Sequence, residues 1–325
     1  MRRRQFLLIL GCVSVAWPLA ARAQQSKLAR IAILSGGTAA GTKDRDACFD
    51  GGLRALGWVE GQNIVIERRW AEGSVARLPA LAAELVRLRP DLIVTSGTPA
   101  AQAMQHATGD IPVVFNMVSD PVASGIVTNI ARPDANVTGV SNFSPAMISK
   151  LLELIETASG AKRIAVLFDP ANPGKQIDLR YLQDGGRTMG IAIEPLPVHN
   201  ADDVNSGFAA MAKNPPGALI VLVDAVTISN MEPIVKQVAA LKLPAIYQER
   251  TFVDLGGLMS YALNYCQHME RAAAYVDKIL KGEKPSALPV EQPATFQFVI
   301  NLKAAKAIGL TMPQTLLTFA DEVIE

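Results

Sequence analysis

Three aspartates follow the ends of predicted β-strands, where their carboxylates could accept hydrogen bonds from a bound molecule. Asp120, Asp169 and Asp224 each come after the last apolar residue of a strand or after the short turn behind it. Pro121 and Pro170 follow the first two, so capping of the next turn is an equal alternative for Asp120 and Asp169. No proline follows Asp224. We therefore expect Asp224 to be a cleft carboxylate that accepts hydrogen bonds from an amine or a hydroxyl, with turn capping as the alternative.

Small polar residues gather at the same strand ends. In open α/β sheets, ligands bind beyond the carboxyl ends of the strands, where helix N-termini carry unpaired backbone donors. Ser96 and Thr98 stand at such an end, and we expect them to hold an anionic group, with simple capping of the following helix as the alternative. The further candidates for polar contacts are Ser35, Thr38, Asn116 and Asn172.

Aromatic residues near strand ends could add apolar walls to this site. Phe143, Tyr247 and Tyr261 are the candidates, although an aromatic residue at such a position is more often part of the core. The polar loops of the first half of the chain and those of the second half would then face each other. The pattern predicts a cleft with two polar walls.

The spacing that enzymes and metal sites use is absent from the sequence. Neither Ser96 nor Ser141 completes the nucleophile motif G-x-S-x-G, because the final glycine is missing in both. Residues 36–43 nearly match a phosphate-binding loop, but Thr42 and Lys43 stand in the reverse order. The three histidines are scattered and show no metal-binding spacing. We expect no catalysis, no metal and no cofactor.

The elements that must position these residues follow an α/β pattern. Short β-rich apolar runs alternate with helical patterns from Leu28 onward, which is typical of βαβ units and parallel sheets. The pattern restarts near Arg163, and extra strands and helices follow the second unit. We predict an α/β fold with two doubly wound parallel-sheet lobes joined by crossover strands. The predicted boundaries are residues 24–141 plus 256–291 for the first lobe and 142–255 plus 292–325 for the second.

The crossovers should act as a hinge, since no Gly/Ser/Pro-rich linker separates the two units. We place them near residues 137–142, 254–257 and 292–297. Cys48 and Cys266 lie on apolar helix faces and are expected to be buried free thiols. A bridge between them remains an alternative, because both helices are assigned to the first lobe.

The N-terminus reads as an export signal, and the charge balance argues against nucleic acid as a partner. Three arginines precede an apolar run, and residues 21–23 form the small-x-small pattern that precedes cleavage after Ala23. Residues 3–7 resemble a twin-arginine motif, with the general secretory route as the alternative, and lipidation of Cys12 is a third reading. With 31 Lys plus Arg against 30 Asp plus Glu, the chain has no basic excess for a polyanion.

Segments along nearly the whole chain carry a resemblance to a known family: residues 17–25, 77–88, 97–101, 120–122, 136–139, 256–261 and 299–307. Together they resemble the substrate-binding proteins of ABC transporters of the tryptophan/tyrosine-binding type. After Tyr261 the chain has Ala262, Leu263 and Asn264, where that family usually has glycine and proline.

This resemblance implies a type I periplasmic binding fold that captures a small solute between its lobes and delivers it to permease subunits in the inner membrane. It implies an amino acid-like ligand, with an aromatic side chain as the family-based expectation. The implied location is the periplasm, and the short crossovers predict a monomer. A periplasmic hydrolase and a ligand-sensing module that serves a receptor are the alternatives.

Overall fold

The computed structural model describes residues 28–133 and 136–325, and its β-strands form two sheets. The expected signal peptide, its cleavage site and the lipidation alternative at Cys12 lie outside the described residues. The strands are β1 (Ala29–Ser35), β2 (Ile64–Trp70), β3 (Leu92–Ser96), β4 (Val113–Val118), β5 (Val137–Ser141), β6 (Arg163–Phe168), β7 (Ala192–Pro197), β8 (Ala218–Val221), β9 (Ala245–Tyr247), β10 (Met259–Ala262), β11 (Gln297–Asn301) and β12 (Glu322–Ile324).

The strand orders confirm the predicted α/β fold with two parallel-sheet units. The first sheet has the order β2-β1-β3-β4-β5, and all of its pairings are parallel. The second sheet has the order β12-β11-β10-β9-β8-β6-β7, and its one antiparallel pairing joins β10 to β11. Both orders reverse direction along the sheet, which opens a crevice at the carboxyl ends of the strands.

Helices connect the strands. They are α1 (Ala39–Ala55), α2 (Leu78–Arg87), α3 (Thr98–Ala107), α4 (Pro145–Ser159), α5 (Pro173–Met189), α6 (Ala201–Lys213), α7 (Ala225–Ser229), α8 (Met231–Ala240), α9 (Thr251–Asp254), α10 (Tyr265–Leu280), α11 (Leu302–Ile308) and α12 (Gln314–Phe319). Within the described residues, none of them has both the length and the apolar character that crossing a bilayer requires.

Each sheet is covered by helices on both faces. On one face of the first sheet, α1 and α10 supply Phe49, Leu53 and Val276 to a core with the strand residues. On its other face, α2 and α3 contribute a separate core. The second sheet is covered in the same way by α4, α5, α11 and α12 on one face and by α6 and α8 on the other. The buried strands are apolar on both faces, as parallel sheets require.

The second crossover lies later in the chain than the sequence predicts. Strand β10 pairs with β9 and β11, so its residues belong to the second sheet, and the assignment of residues 256–262 to the first lobe is wrong. The chain reaches the first lobe only at α10, which packs on the first sheet. A strand buried on both faces has the same apolar pattern in either sheet, so its sequence does not say which sheet it joins.

A disulfide between Cys48 and Cys266 joins α1 to α10, so the expectation of free thiols is wrong and its alternative is correct. The two Cα atoms are 5.1 Å apart. Further along α1, a Cβ added to Gly52 would lie 3.0 Å from the Cβ of Ala273 and 3.1 Å from the Cα of Glu270. Glycine therefore lets the two helices approach closely.

Candidate functional site

A cavity of about 90 Å³ lies between the two sheets, at the carboxyl ends of their strands. Loops of the first sheet form one wall, and loops of the second sheet form the other. Six of the predicted site residues line it: Ser35, Thr38, Ser96, Asp169, Asn172 and Asp224. The cavity is the place where the fold brings the two predicted polar walls together.

The first wall is built around the N-termini of two helices. Thr38 is the N-cap of α1, and its hydroxyl accepts a hydrogen bond from the N–H of Gly41 at 3.0 Å. Ser96 ends β3, and Gly97 is the N-cap of α3 with a φ of +91°, a conformation that favours glycine. The positive ends of both helix dipoles point toward this wall, which favours a negatively charged group there.

The second wall carries two buried carboxylates. Asp224 caps α7, since its Oδ1 accepts the N–H of Thr227 at 2.8 Å, while its Oδ2 accepts the N–H of Asp169 at 2.7 Å. Asp169 accepts the N–H of Ala171 through Oδ1 at 2.8 Å. The structure thus gives Asp224 both of its predicted positions: it caps a helix and it lines the cavity.

Burial makes both carboxylates reluctant to ionise. Desolvation raises the pKa of Asp224 to about 6, against the opposing effect of its backbone hydrogen bonds from Thr227 and Asp169. Desolvation likewise raises the pKa of Asp169, and the N–H of Ala171 opposes it. A cationic group placed between these two carboxylates would compensate their charge.

Two cations line the cavity, and each is paired with a carboxylate outside its lining. Arg45 contacts Glu249 at 2.5 Å, and Lys175 contacts Asp178 at 2.6 Å. Asp169 and Asp224 have no such ionic partner among the contacts of the described residues. Sequence reasoning did not identify Arg45 or Lys175, because their neighbourhood is set by helix packing rather than by a motif.

Apolar side chains complete the cavity. Met117 lies at a β-bulge between β4 and β5 and has a φ of +56°, which a non-glycine residue rarely adopts. Val75, Leu78 and Ile228 line it from other elements. No local signal in the sequence indicates the bulge that brings Met117 to the site.

Five of the predicted site residues lie outside the lining of this cavity: Thr98, Asn116, Asp120, Phe143 and Tyr247. Thr98 is 1% exposed, and its hydroxyl accepts the N–H of Ser119 at 3.1 Å. Asn116 is buried in β4. Asp120 caps its own turn and accepts the hydroxyl of Tyr181 at 2.9 Å. Tyr247 is fully buried and stacks on Phe252, so its placement in an apolar wall of the site is corrected to a place in the core.

Phe143 lines a smaller chamber of about 10 Å³ beside the cavity. Asn142, Lys175 and Val223 line both spaces. Three polar atoms of residues around the chamber are buried without a hydrogen-bond partner among the described residues: Asn142 Oδ1, Asp178 Oδ1 and Gln248 Nε2. Gln248 Oε1 accepts the N–H of Val223 at 3.1 Å, which fixes the orientation of its amide.

Several side-chain contacts join the lobes around the cavity. The hydroxyl of Ser119 donates to Asp178 Oδ2 at 3.3 Å, and the hydroxyl of Tyr181 donates to Asp120. On another side of the cavity, Arg45 of the first lobe contacts Glu249 of the second.

The described residues hold no group of three or more side chains suited to a metal ion.

Two doubly wound lobes around an interlobe cavity are typical of solute-binding proteins. The chain belongs to the family of ABC transporter substrate binding proteins, whose profile matches residues 31–324. It is 29% identical over 270 residues to a tyrosine-binding protein of Clostridioides difficile, an alignment that covers 82% of this chain and 77% of that protein.

Two solved structures extend the comparison. An ABC domain of Streptococcus pneumoniae in complex with L-Trp has a TM-score of 0.85 and 26% identity, with 92% of this chain and 100% of that chain covered. The open, ligand-free structure of a substrate binding protein from Clostridium difficile has a TM-score of 0.65 and 27% identity, with 91% and 99% covered.

Proposed function

We propose that the protein is the solute-binding component of an ABC transporter and that it captures an amino acid with a polar aromatic side chain between its lobes. The observation that carries the proposal is the polarity of the cavity. Helix N-termini form one wall, and two buried carboxylates without an ionic partner form the other. A zwitterion complements both walls at once.

The ammonium group of the ligand binds at Asp169. Both oxygens of Asp224 already accept backbone N–H groups, whereas Asp169 accepts one through Oδ1 and keeps Oδ2 for the ligand. The carboxylate of the ligand lies at the N-termini of α1 and α3, near Ser35, Thr38 and Ser96. In this arrangement Asn172 is a further polar side chain in the lining of the cavity. Asp224 accepts the backbone N–H of Asp169 and so holds Asp169 in position.

The side chain of the ligand extends along the apolar lining toward the smaller chamber. There Gln248 Nε2 is a donor, and Asp178 Oδ1 and Asn142 Oδ1 are acceptors. A phenol hydroxyl or an indole N–H reaching this chamber would find a partner among them. The names of the relatives, which mention tyrosine and L-Trp, support the same class of ligand.

The arrangement of the lobes corresponds to a ligand-capturing, closed form. Two solved structures have nearly equal sequence identity to this chain but differ in structural similarity to it. The L-Trp complex has the higher TM-score, and the open, ligand-free protein has the lower one. The contacts between lobes at Ser119, Asp120 and Arg45 support the same conclusion. A ligand that prefers this form would shift the protein toward it.

The place of the protein in the cell follows from the same role. We place it in the periplasm, exported by the N-terminal signal, where as a monomer it hands its solute to permease subunits in the inner membrane. The family is one of solute-binding proteins rather than of enzymes.

Native mass spectrometry of the purified protein, followed by calorimetric titration with L-tyrosine and L-tryptophan, tests the proposal. Asp169→Asn keeps the acceptor for Ala171 and removes the charge, so it should weaken binding about tenfold to a hundredfold, since hydrogen bonds to charged groups contribute about 1.5–3 kcal/mol. Asp184→Asn, on the exposed surface of α5, is the matched control and should bind like the wild type. A protein that binds neither amino acid would refute the proposal.

A further inference from the structure

A cluster of three side chains joins the lobes beside the proposed ligand site: Arg45 lines the cavity, Tyr265 lines the smaller chamber, and Glu249 lines neither. Arg45 on α1 and Tyr265 on α10 belong to the first lobe, and Glu249 follows β9 in the second. The guanidinium of Arg45 lies 4.4 Å from the centre of the Tyr265 ring and contacts Glu249 Oε2 at 2.5 Å. The hydroxyl of Tyr265 donates to the backbone carbonyl of Gln248 at 3.1 Å. The first lobe therefore contacts two consecutive residues of the second lobe, Gln248 and Glu249.

The ion pair in this cluster is shielded from water. The side chains of Arg45 and Glu249 are 19% and 7% exposed. Burial disfavours the charged form of Arg45, but the neighbouring carboxylate of Glu249 favours it. The pKa of Arg45 therefore stays above the ordinary arginine value. The hydroxyl of Thr251 donates to Glu249 Oε1 at 3.2 Å, which orients the carboxylate before Arg45 arrives. A shielded and oriented pair is screened by salt far less than an exposed one.

We infer that Arg45, Tyr265 and Glu249 form a latch that holds the closed form and thereby sets the affinity for the ligand. The inference rests on the proposed function, because it assumes that binding and closure are coupled. The pair can form only when the lobes meet, since its partners belong to different lobes. Opening separates them, so the latch slows release of the ligand without contributing to the fold of either lobe.

The disulfide positions the first-lobe half of this latch. Cys48 lies one turn after Arg45 on α1, and Cys266 directly follows Tyr265 on α10. The bond ties together the two helices that present the guanidinium and the aromatic ring. Reduction would leave these helices joined only by packing, and the latch would lose part of its preorganisation.

Two substitutions separate the latch from direct ligand contact. Arg45 lines the cavity, whereas Glu249 does not. Glu249→Gln should therefore raise the Kd for L-tyrosine or L-tryptophan about tenfold to a hundredfold, mainly through faster dissociation. Arg45→Met should do the same, and the double variant should be little worse than either single one. Arg250→Gln is the control, because its partner Glu322 lies in the same lobe at 2.6 Å, and it should bind like the wild type.

Single-molecule fluorescence transfer between the lobes tests the latch with and without amino acid. Glu249→Gln should lower the closed fraction in both conditions and leave the thermal midpoint of the ligand-free protein unchanged. The variant with Cys48→Ser and Cys266→Ser should bind several-fold more weakly, and this loss should vanish when Glu249→Gln is also present.

The outcomes distinguish this inference from the proposed function. A wild type that binds neither amino acid refutes the function, while the closed fractions still decide the latch. If Glu249→Gln leaves both affinity and closed fraction unchanged, the latch is refuted. The same follows if only Arg45→Met weakens binding, because Arg45 would then act by touching the ligand.

Discussion

At the scale of single residues, Asp224 shows how a cap and a cavity wall can be the same side chain. Its two oxygens accept N–H groups from Thr227 and Asp169, and burial raises its pKa to about 6. From the sequence alone, a place in the cleft and capping of a turn were alternatives for this residue. The hydrogen bonds show that Asp224 does both, so removal of its charge should affect the fold as well as the site.

Asp224→Asn should lower both stability and affinity. An asparagine has only one acceptor oxygen, so its NH₂ would face the N–H of either Thr227 or Asp169. Leaving a buried donor unpaired costs about 1–3 kcal/mol, which thermal unfolding of the ligand-free protein would detect. Ligand affinity should fall as well, because the hydrogen bond from the N–H of Asp169 to Asp224 holds Asp169 in position. An unchanged thermal midpoint would contradict this account of the cap.

The chamber beside the cavity predicts discrimination between ring systems. L-phenylalanine would leave Gln248 Nε2, Asp178 Oδ1 and Asn142 Oδ1 unpaired, whereas a phenol or an indole pairs with at least one of them. At about 1–3 kcal/mol for an unpaired buried group, phenylalanine should bind about tenfold to a hundredfold more weakly than tyrosine or tryptophan. Calorimetric titrations with the three amino acids measure this ratio. Equal affinities would mean that the chamber does not receive the side chain.

At the scale of elements, the N-terminus of α5 packs against the N-terminus of α3 across the lobes. A Cβ added to Gly174 would lie 2.5 Å from Thr98 Oγ1 and 2.9 Å from Ser119 Cβ. Both neighbours are buried and belong to the first lobe, so neither can move away freely. Glycine at this position is what allows the two helix ends to meet.

Gly174→Ala should therefore obstruct closure and weaken ligand binding. The added methyl group affects only the closed form, so the ligand-free protein should keep its thermal midpoint while the Kd rises. Gly185→Ala on the same helix is the control, because its Cβ would meet Leu152 at 3.4 Å, an ordinary contact. Titration and unfolding of both variants decide the matter. Wild-type affinity in Gly174→Ala would show that the lobes close less tightly in solution.

At the scale of the whole molecule, closure without a ligand buries two carboxylates. Burial raises the pKa values of both Asp169 and Asp224 in the closed form. The charge of Asp169 raises the pKa of Asp224 further, while Lys175 lowers it. In an open cleft, water would reach both carboxylates, and their pKa values would lie closer to the ordinary range. The closed form therefore binds protons more tightly than the open form.

This difference predicts that the ligand-free protein closes on acidification. By linkage, protons stabilise the form whose carboxylates have the higher pKa, which is the closed form. This stabilisation of the closed form is complete below the ordinary pKa of aspartate and is lost as the pH rises through about 6. Small-angle scattering at pH 7 and pH 5 should show a smaller radius at pH 5 without ligand, and the Asp169→Asn variant should respond less. A radius of gyration that is the same at pH 5 and pH 7 would contradict this prediction.

Much of the fold and part of the site could be predicted from the sequence. The alternation of apolar strands and amphipathic helices predicts two parallel-sheet units, and strand ends predict a wall residue in cases such as Ser96 and Asp169. These predictions succeed because side-chain periodicity and turn chemistry are local properties of the chain. The ends of parallel strands then lie at one edge of a sheet.

What the tertiary structure alone decided depends on contacts between distant segments. The sheet that β10 joins, the bond between Cys48 and Cys266, and the place of Tyr247 in the core all follow from packing that no local pattern encodes. Arg45 and Lys175 enter the site for the same reason. Glu249, the partner of Arg45, is fixed by how the lobes meet, because electrostatic and packing energies depend on distance in space rather than along the chain. Asp178, the partner of Lys175, lies three residues further on in the same helix, but only the packing of that helix places the pair beside the cavity.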